Sequence, residues 1–91
     1  MKVEWLPRAL NNLRDQVVYV RERNLPAARE LAGAVKAAAG QIAKFPYSGR
    51  KGRVPGTREL VVSRTRLILV YRVEQDAVVI IRVLHAASRW P

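Results

Sequence analysis

Arginine is the side chain that this sequence offers most often for chemistry. Seventeen of the 91 residues are Lys or Arg against seven Asp or Glu, and 13 of the 17 are arginine. Arginine presents a planar fork of N–H donors that matches phosphate and carboxylate groups. A net charge of +10 on so short a chain therefore indicates a polyanionic partner, either a nucleic acid or an acidic protein. A basic surface that only aids solubility is the alternative.

Acid–base and metal chemistry have few candidate residues. His85 is the single histidine and the one side chain of the usual general acid–base type, while the seven carboxylates are scattered along the chain. Cysteine is absent, so neither a disulfide framework nor a thiolate metal site can be built. One histidine is also too few for an ordinary zinc site. We therefore expect no metal and no other cofactor.

Hydrophobic periodicity predicts a short strand and then two helices. Residues Lys2 to Trp5 alternate polar and apolar, which is typical of a strand. Apolar residues then recur at spacings of three and four, first from Leu6 to Val20 and again from Leu31 to Phe45. We predict helices near residues 7–23 and 26–44, joined by one short connection into an antiparallel hairpin.

The second half of the chain changes to the period of a strand. A basic loop with three glycines and two prolines occupies residues 46–56. Three strands follow at residues 57–63, 66–73 and 77–85, with connections too short for parallel crossovers. The predicted fold class is α+β with the order β-α-α-β-β-β, an antiparallel sheet packed by the helical hairpin.

Length and hydropathy bound the class of protein. A chain of 91 residues has room for one core, so we expect a single domain over residues 1–91. The N-terminus has no apolar run of the kind that forms a signal peptide, and no stretch approaches the length of a membrane span. We expect a soluble cytoplasmic protein with no membrane partner.

The two faces of the last strands suggest where a partner binds. Strict alternation puts Leu67, Leu69, Tyr71 and Val73 on one face of the middle strand, and it separates Val79, Ile81 and Val83 from Val78, Ile80 and Leu84 in the last. The helices cover one sheet face. The other face would expose an apolar strip rimmed by arginine, a common form of binding groove. Cover by the chain's own loop is an equally weighted alternative. The strip comprises Arg66, Ile68, Val70, Ile80, Arg82 and Leu84.

Several segments of the chain are familiar in their order and spacing. They are Trp5-Leu6-Pro7-Arg8-Ala9, Phe45-Pro46-Tyr47-Ser48-Gly49-Arg50, Pro55-Gly56-Thr57-Arg58-Glu59-Leu60, Val70-Tyr71-Arg72-Val73, and Val83-Leu84-His85 with Arg89-Trp90-Pro91. Together they resemble the RelE/ParE superfamily of toxins from bacterial type II toxin–antitoxin systems, with the C-terminal segment closer to the ParE branch. The resemblance spans the whole chain and agrees with the predicted order of elements.

The resemblance implies a toxin neutralised by a cognate antitoxin of the ParD-like or RelB-like type. The arginine-rimmed strip defined above (Arg66, Ile68, Val70, Ile80, Arg82 and Leu84) would then bind the antitoxin. The two branches of the superfamily differ in action. RelE-like members enter the ribosomal A site and cut mRNA, whereas ParE-like members inhibit DNA gyrase without a catalytic centre.

Departures from the RelE pattern favour the ParE branch. His85 is followed by Ala86-Ala87-Ser88 where some nucleases carry a tyrosine, and Ile68 stands where they carry an arginine. The sequence ends at Pro91, before the segment that holds their catalytic tyrosine. We therefore expect a non-catalytic gyrase inhibitor whose target-binding residues are Arg58, Arg64, Arg72, Arg82, Arg89 and Trp90.

The alternative implied by the resemblance is a metal-independent endoribonuclease acting on ribosome-bound mRNA. Its catalytic residues would be His85, Arg66 and Arg89. Glu59 could substitute as the base, although glutamate is also common at this position in the non-nuclease branch.

A stand-alone nucleic-acid-binding module is a further class that fits the charge. Such modules stack bases on aromatic pairs carried by their strands. The aromatic residues of this sequence are scattered instead, which argues against that class.

Overall fold

The two periodicities of the sequence produce two layers in the computed structural model, which describes residues 1–91. A helical hairpin lies against one face of a five-stranded sheet with the order β1-β5-β4-β3-β2. The elements are β1 Lys2–Trp5, α1 Pro7–Arg21, α2 Leu25–Lys44, β2 Arg50–Lys51, β3 Arg58–Val61, β4 Leu67–Val73 and β5 Ala77–His85. The predicted α+β fold, with the helical hairpin on the sheet, is confirmed.

The sheet is mixed, whereas the sequence predicted an antiparallel sheet. β3, β4 and β5 form the expected antiparallel meander, and β2 adds a short antiparallel edge. β1, however, pairs in parallel with β5, from Lys2 opposite Ala77 to Trp5 opposite Ile80. Parallel neighbours need a long connection, and the whole hairpin and meander supply one here. Alternation within β1 identifies a strand but carries no information about its partner.

Asn24 separates the two helices. Its side-chain oxygen accepts a hydrogen bond from the backbone N–H of Ala27 at 3.0 Å, which satisfies a free donor in the first turn of α2. Pro26 lies in the same turn, where the missing N–H costs nothing. Both helices therefore have ends close to those predicted. Neither of them has the combination of length and hydropathy that crossing a membrane requires.

The main core lies between the hairpin and the first face of the sheet. Its largest fully buried side chains include Ile42 from α2, Leu69 and Tyr71 from β4, and Ile80 from β5. Small residues on α2 let this helix approach closely. α1 buries only Ala9 fully, and Leu10 stays 49% exposed. The apolar stripe predicted from Leu6 to Val20 is thus only partly covered.

A β-bulge between β4 and β5 changes which side chains share a face. Val70 lies opposite Arg82 but Tyr71 lies opposite Ile80, so Ile81 is an extra residue on β5. Val78, Ile80 and Val83 consequently all enter the main core. The strict alternation predicted from the sequence is wrong beyond this point. Ile80 in particular is fully buried under the helices and does not belong to the second face.

Candidate functional site

The second face of the sheet carries a small apolar cluster of its own. Ile68, Val70 and Leu84 are all buried there, and Ile81 and Trp90 pack against them. The sequence predicted that this strip would be exposed to solvent, but its apolar residues are buried. The alternative prediction, cover by the chain's own segment, is the arrangement observed, and Trp90 from the C-terminal segment is part of that cover.

Arg82 lies at the rim of this cluster. Its guanidinium carbon is 5.1 Å from the centroid of the Trp90 ring, within cation–π range. Burial, and secondly the positive charge of Arg8, lower the pKa of Arg82. The guanidinium nevertheless stays protonated at neutral pH. Since neither arginine forms a salt bridge, this rim holds two uncompensated cations that an anionic partner would stabilise.

A cleft of about 940 Å³ opens on the other side of the sheet, between the helical hairpin and the β3–β4 turn. Arg64, Arg66 and His85 line it together with apolar side chains from α2 and β4. Arg64 occupies the left-handed region at φ 65°, where it turns the chain between the two strands. The cleft thus combines apolar side chains with two arginines, a histidine and one carboxylate, that of Glu30.

His85 ends β5 beside this cleft. Its Nδ1 accepts a hydrogen bond from the backbone N–H of Ala87 at 3.3 Å. In the neutral ring, Nε2 then carries the proton. The structure brings His85 and Arg66 to one cleft, but Arg89 is not part of its lining. Two of the three residues predicted for a nuclease therefore line this cleft.

The predicted target-binding arginines lie in separate regions. Arg72 and Arg82 are on the second face of the sheet, because the residues opposite and beside them in the register belong to that face. Arg89 is exposed in the C-terminal segment that also carries Trp90. Arg64 borders the cleft. Arg58 is at the opposite edge, where it donates hydrogen bonds to the carbonyl oxygens of Tyr47 and Gly49.

Glu59 is a structurally important residue that sequence reasoning had weighed only as a substitute base. Its side chain is 1% exposed, and it accepts hydrogen bonds from the Arg53 backbone N–H at 3.0 Å and from the guanidinium of Arg50 at 3.1 Å. Arg53 adds a second guanidinium at 3.3 Å. Burial alone would raise the pKa of Glu59, but these donors and charges outweigh it and lower the pKa.

No group of three or more His, Asp or Glu side chains is positioned to hold a metal ion.

A sequence signal for the role of Glu59 does exist. It is the only acidic residue between Leu31 and Val73, a stretch with nine Lys or Arg residues. A lone carboxylate in so basic a stretch, at an inward-facing strand position, is a good candidate for a buried ion pair.

Comparison with known proteins identifies relatives by family model, by sequence and by structure. Residues 3–90 match the family model described as ParE toxin of type II toxin-antitoxin system, parDE. A protein of Sinorhizobium fredii (strain NBRC 101917 / NGR234) named "Putative toxin Y4kP" is 36% identical over 90 residues, which cover 99% of this chain and 93% of that protein. The solved structure "Chromosomal ParDE TA system from P. aeruginosa" superposes with a TM-score of 0.82 at 20% identity, over 93% of this chain and 95% of that one.

Proposed function

The chain belongs to the ParE toxin family of type II toxin–antitoxin systems, and we propose that it inhibits DNA gyrase by binding and is neutralised by a cognate antitoxin. The inhibition would be non-catalytic and would take place in the cytoplasm, where its target acts. The observation that carries this proposal is the state of the two side chains that could serve as a general base, Glu59 and His85.

Glu59 is not available for proton transfer, and one ring nitrogen of His85 is committed to the backbone. Glu59 is buried, bonded to three donor groups and shifted to a lower pKa, so it is both inaccessible and weakly basic. The Nδ1 of His85 caps the backbone N–H of Ala87, which gives the ring a structural task at the strand end. A general base needs an accessible acceptor within hydrogen-bond reach of its substrate. Binding therefore accounts for the arginines better than catalysis does.

The antitoxin would bind over the second face of the sheet. The uncompensated cations Arg82 and Arg8 favour an acidic segment there, of ParD-like or RelB-like type. The proposed contact residues on this face are Ile68, Val70, Arg82 and Leu84. Arg66, which precedes β4 and lines the cleft on the other side, would be reached only around the end of that strand. Because Trp90 packs against the apolar ones, the antitoxin would have to displace Trp90 or pack around it. Charge reversal, Arg82→Glu or Arg66→Glu, should then weaken the complex in a titration with purified antitoxin, mainly through faster dissociation where the pair is desolvated.

Gyrase would be bound by a second set of arginines, which shares Arg82 with the antitoxin site, together with the C-terminal segment. The proposed residues are Arg58, Arg64, Arg72, Arg82, Arg89 and Trp90. Arg72, Arg82 and Trp90 share the second face, so this target site would overlap the antitoxin site. Such an overlap would explain neutralisation by simple competition. Arg58 and Arg64, which lie elsewhere, would contribute less to the same contact.

One observation favours the alternative, a ribosome-dependent mRNA endonuclease. His85 and Arg66 line one cleft large enough for a small ligand, which gives an imidazole and a cation a shared space. In that case His85 would be the acid or base, and Arg66 with Arg89 would stabilise the charged phosphorane.

The experiment is controlled expression of variants without antitoxin. His85→Ala should keep its toxicity, because a binding surface loses only some packing and a hydrogen bond. If His85 were a general acid or base, the loss would be about 100- to 10,000-fold in rate. Changing Arg72, Arg82 and Arg89 together to Gln should abolish growth arrest and inhibition of DNA supercoiling by purified gyrase.

The matched control for the arginine variant neutralises Arg14, Arg21 and Arg29, which are exposed on the helices. This control removes the same charge and should stay toxic. Circular dichroism checks that each variant is folded, and antitoxin pull-down is a second check for His85→Ala, which keeps the proposed antitoxin contacts. A folded His85→Ala protein that binds antitoxin, has lost its toxicity and no longer cuts mRNA would establish the nuclease instead.

A further inference from the structure

The loop after α2 exposes two aromatic rings in basic surroundings. Phe45 is 59% and Tyr47 67% exposed. The Lys44 ammonium lies 5.8 Å from the centroid of the Phe45 ring, and the Arg58 guanidinium carbon lies 4.9 Å from that of Tyr47. We call these residues, with Lys51, the loop platform. Exposed rings interleaved with cations are the composition that stacks bases and holds phosphates in single-strand binders.

The charge of the loop platform is not compensated within the protein. The one acidic residue nearby, Glu59, is occupied by Arg50 and Arg53. Arg58 donates to two backbone carbonyls, which hold its position but leave its charge. Lys51 lies opposite Arg58 in the β2–β3 ladder, so both side chains leave the sheet on the same side. Two free cations therefore flank the Tyr47 ring.

The backbone beneath the platform is rigid. The buried Tyr71 hydroxyl donates to the Pro46 carbonyl at 2.7 Å and accepts from the Gly49 N–H at 3.0 Å. A Cβ at Gly49 would lie 2.6 Å from that hydroxyl and 2.9 Å from the Glu59 carbonyl, so only glycine fits there. Because the loop is already ordered, a ligand would lose little binding energy in fixing it.

A shallow cleft of about 380 Å³ adjoins the Tyr47 ring. Lys51, Arg58 and the glycine-containing turn at residues 52–57 line it. Its size is at the lower end of the range for small-ligand sites, which is right for one nucleotide. The ring supplies a stacking surface and the two cations supply phosphate contacts beside it.

We propose that the loop platform binds single-stranded nucleic acid, with a base on Tyr47 and phosphates at Lys51 and Arg58. This goes beyond the proposed function, which requires only protein partners, and does not rest on it. Duplex DNA keeps its base faces stacked inside, so the exposed ring would have no use there. A base stacked on Tyr47 with a phosphate at each cation would use both the ring and the charges of the platform.

Fluorescence anisotropy of labelled oligonucleotides with the purified full chain tests this proposal. The probes are oligothymidylate and oligouridylate of about 12 nucleotides, within the site sizes of single-strand binders, and a duplex of the same length. Tyr47→Ala should weaken single-strand binding about 5- to 100-fold, the usual effect of losing one stacked base. Tyr47→Phe, which keeps the aromatic ring, should bind the single strand about as tightly as the unchanged protein does. Preference for one probe over the other identifies DNA or RNA as the ligand.

The chain offers a close control for each change. Tyr19 on α1 is 58% exposed with Arg23 at 3.6 Å from its ring, a similar pair far from the loop, so Tyr19→Ala should bind as the unchanged protein does. Lys51→Glu should lower the slope of log affinity against log salt by about 0.7 for each phosphate that the variant no longer neutralises. Lys36 is an exposed residue on α2, away from the loop platform. Lys36→Glu should therefore reduce the magnitude of this slope less than Lys51→Glu does.

Three results would overturn the proposal. Equal affinities of Tyr47→Ala and Tyr19→Ala would show that charge alone holds the oligonucleotide. Duplex binding as tight as single-strand binding, and insensitive to Tyr47, would show the same. Displacement by a poly-glutamate peptide whose own binding needs Tyr47 would make the platform a protein-docking surface. Each result can be interpreted without any gyrase measurement, so it is separable from the outcome for the proposed function.

Discussion

Two basic segments border the sheet, and each sets an aromatic ring against an arginine. In the loop at residues 45–57 the pair is Tyr47 with Arg58, at 4.9 Å from the ring centroid. In the C-terminal segment at residues 86–91 it is Trp90 with Arg82, at 5.1 Å. The local chemistry is the same, but the means of attachment differ. The loop is held by hydrogen bonds to two buried side chains, Tyr71 and Glu59.

The C-terminal segment is held in a weaker way. Its backbone hydrogen bonds end at Ser88, and beyond that residue Trp90 is fixed by packing against the second face and by its contact with the Arg82 guanidinium. The indole Nε1 of Trp90 is buried without a hydrogen-bond partner, an arrangement that costs free energy. The loop is thus attached by hydrogen bonds to buried side chains, whereas the C-terminal segment is attached by packing and by one contact with a cation.

Among the substitutions that test how the loop and the C-terminal segment are attached, Glu59→Ala should destabilise the protein most. It removes the charge-assisted bonds to Arg50 and Arg53 and leaves a cavity, which together should lower the free energy of unfolding by about 2–4 kcal/mol. Urea unfolding followed by circular dichroism measures it. The control is Glu74→Ala, an exposed pair with Arg72 at 3.6 Å, worth about 0–1 kcal/mol. Equal losses in both variants would mean that Glu59 does not anchor the loop.

Tyr71→Phe should follow in size. The change keeps the packing of the ring but leaves the Gly49 N–H and the Pro46 carbonyl without their partner. An unsatisfied buried group costs about 1–3 kcal/mol, and hydrogen exchange at Gly49 should quicken more than exchange in α2. Tyr19→Phe is the control, since that ring is exposed. Unchanged exchange at Gly49 would show that the hydroxyl does not fix the loop.

The sequence predicts six of the seven elements because each of the six has a clear period, whereas β2 at Arg50–Lys51 is too short to have one and lies in the segment predicted as a loop. The helices and β5 have ends within about two residues of those expected from periodicity. The α+β class follows from the same periods together with the short connections between the strands. Periodicity could not show which strand pairs with β1, because its side chains would alternate in the same way next to any partner strand.

The candidate site was predicted less well than the fold, for three physical reasons. One extra residue at Ile81 reverses the alternation of β5 and moves Ile80 into the main core. Trp90 covers the strip that the strands were expected to expose, a contact between distant parts of the chain. Phe45 and Tyr47 are close in the sequence, but Arg58 reaches the Tyr47 ring only because the loop bonded to Tyr71 lies beside β3. Each depends on tertiary contacts that no local pattern records.

Acid should weaken the loop before it weakens the C-terminal segment. The pKa of Glu59 lies below its ordinary value of 4.5 in the folded protein, so its contribution is complete above about that pH. The contribution is lost as the pH falls through the lower, folded-state pKa. The free energy of unfolding should therefore fall between pH 4.5 and more acidic values by more in the unchanged protein than in Glu59→Gln, which has no carboxyl to protonate. Parallel pH profiles would place the titrating group elsewhere.

Trp90→Phe should have the smallest effect and gives the closest comparison with Tyr71→Phe. Both changes remove one polar group from a buried position and keep an aromatic ring. In Tyr71 that group has two partners, whereas the Nε1 of Trp90 has none. Trp90→Phe gives up some apolar contact on the second face but also removes an unsatisfied donor, and these effects offset each other to within about 1 kcal/mol. Urea unfolding of the two variants, each against the unchanged protein, measures the difference. If Trp90→Phe costs as much as Tyr71→Phe, the indole N–H does have a partner, and the C-terminal segment is as firmly attached as the loop.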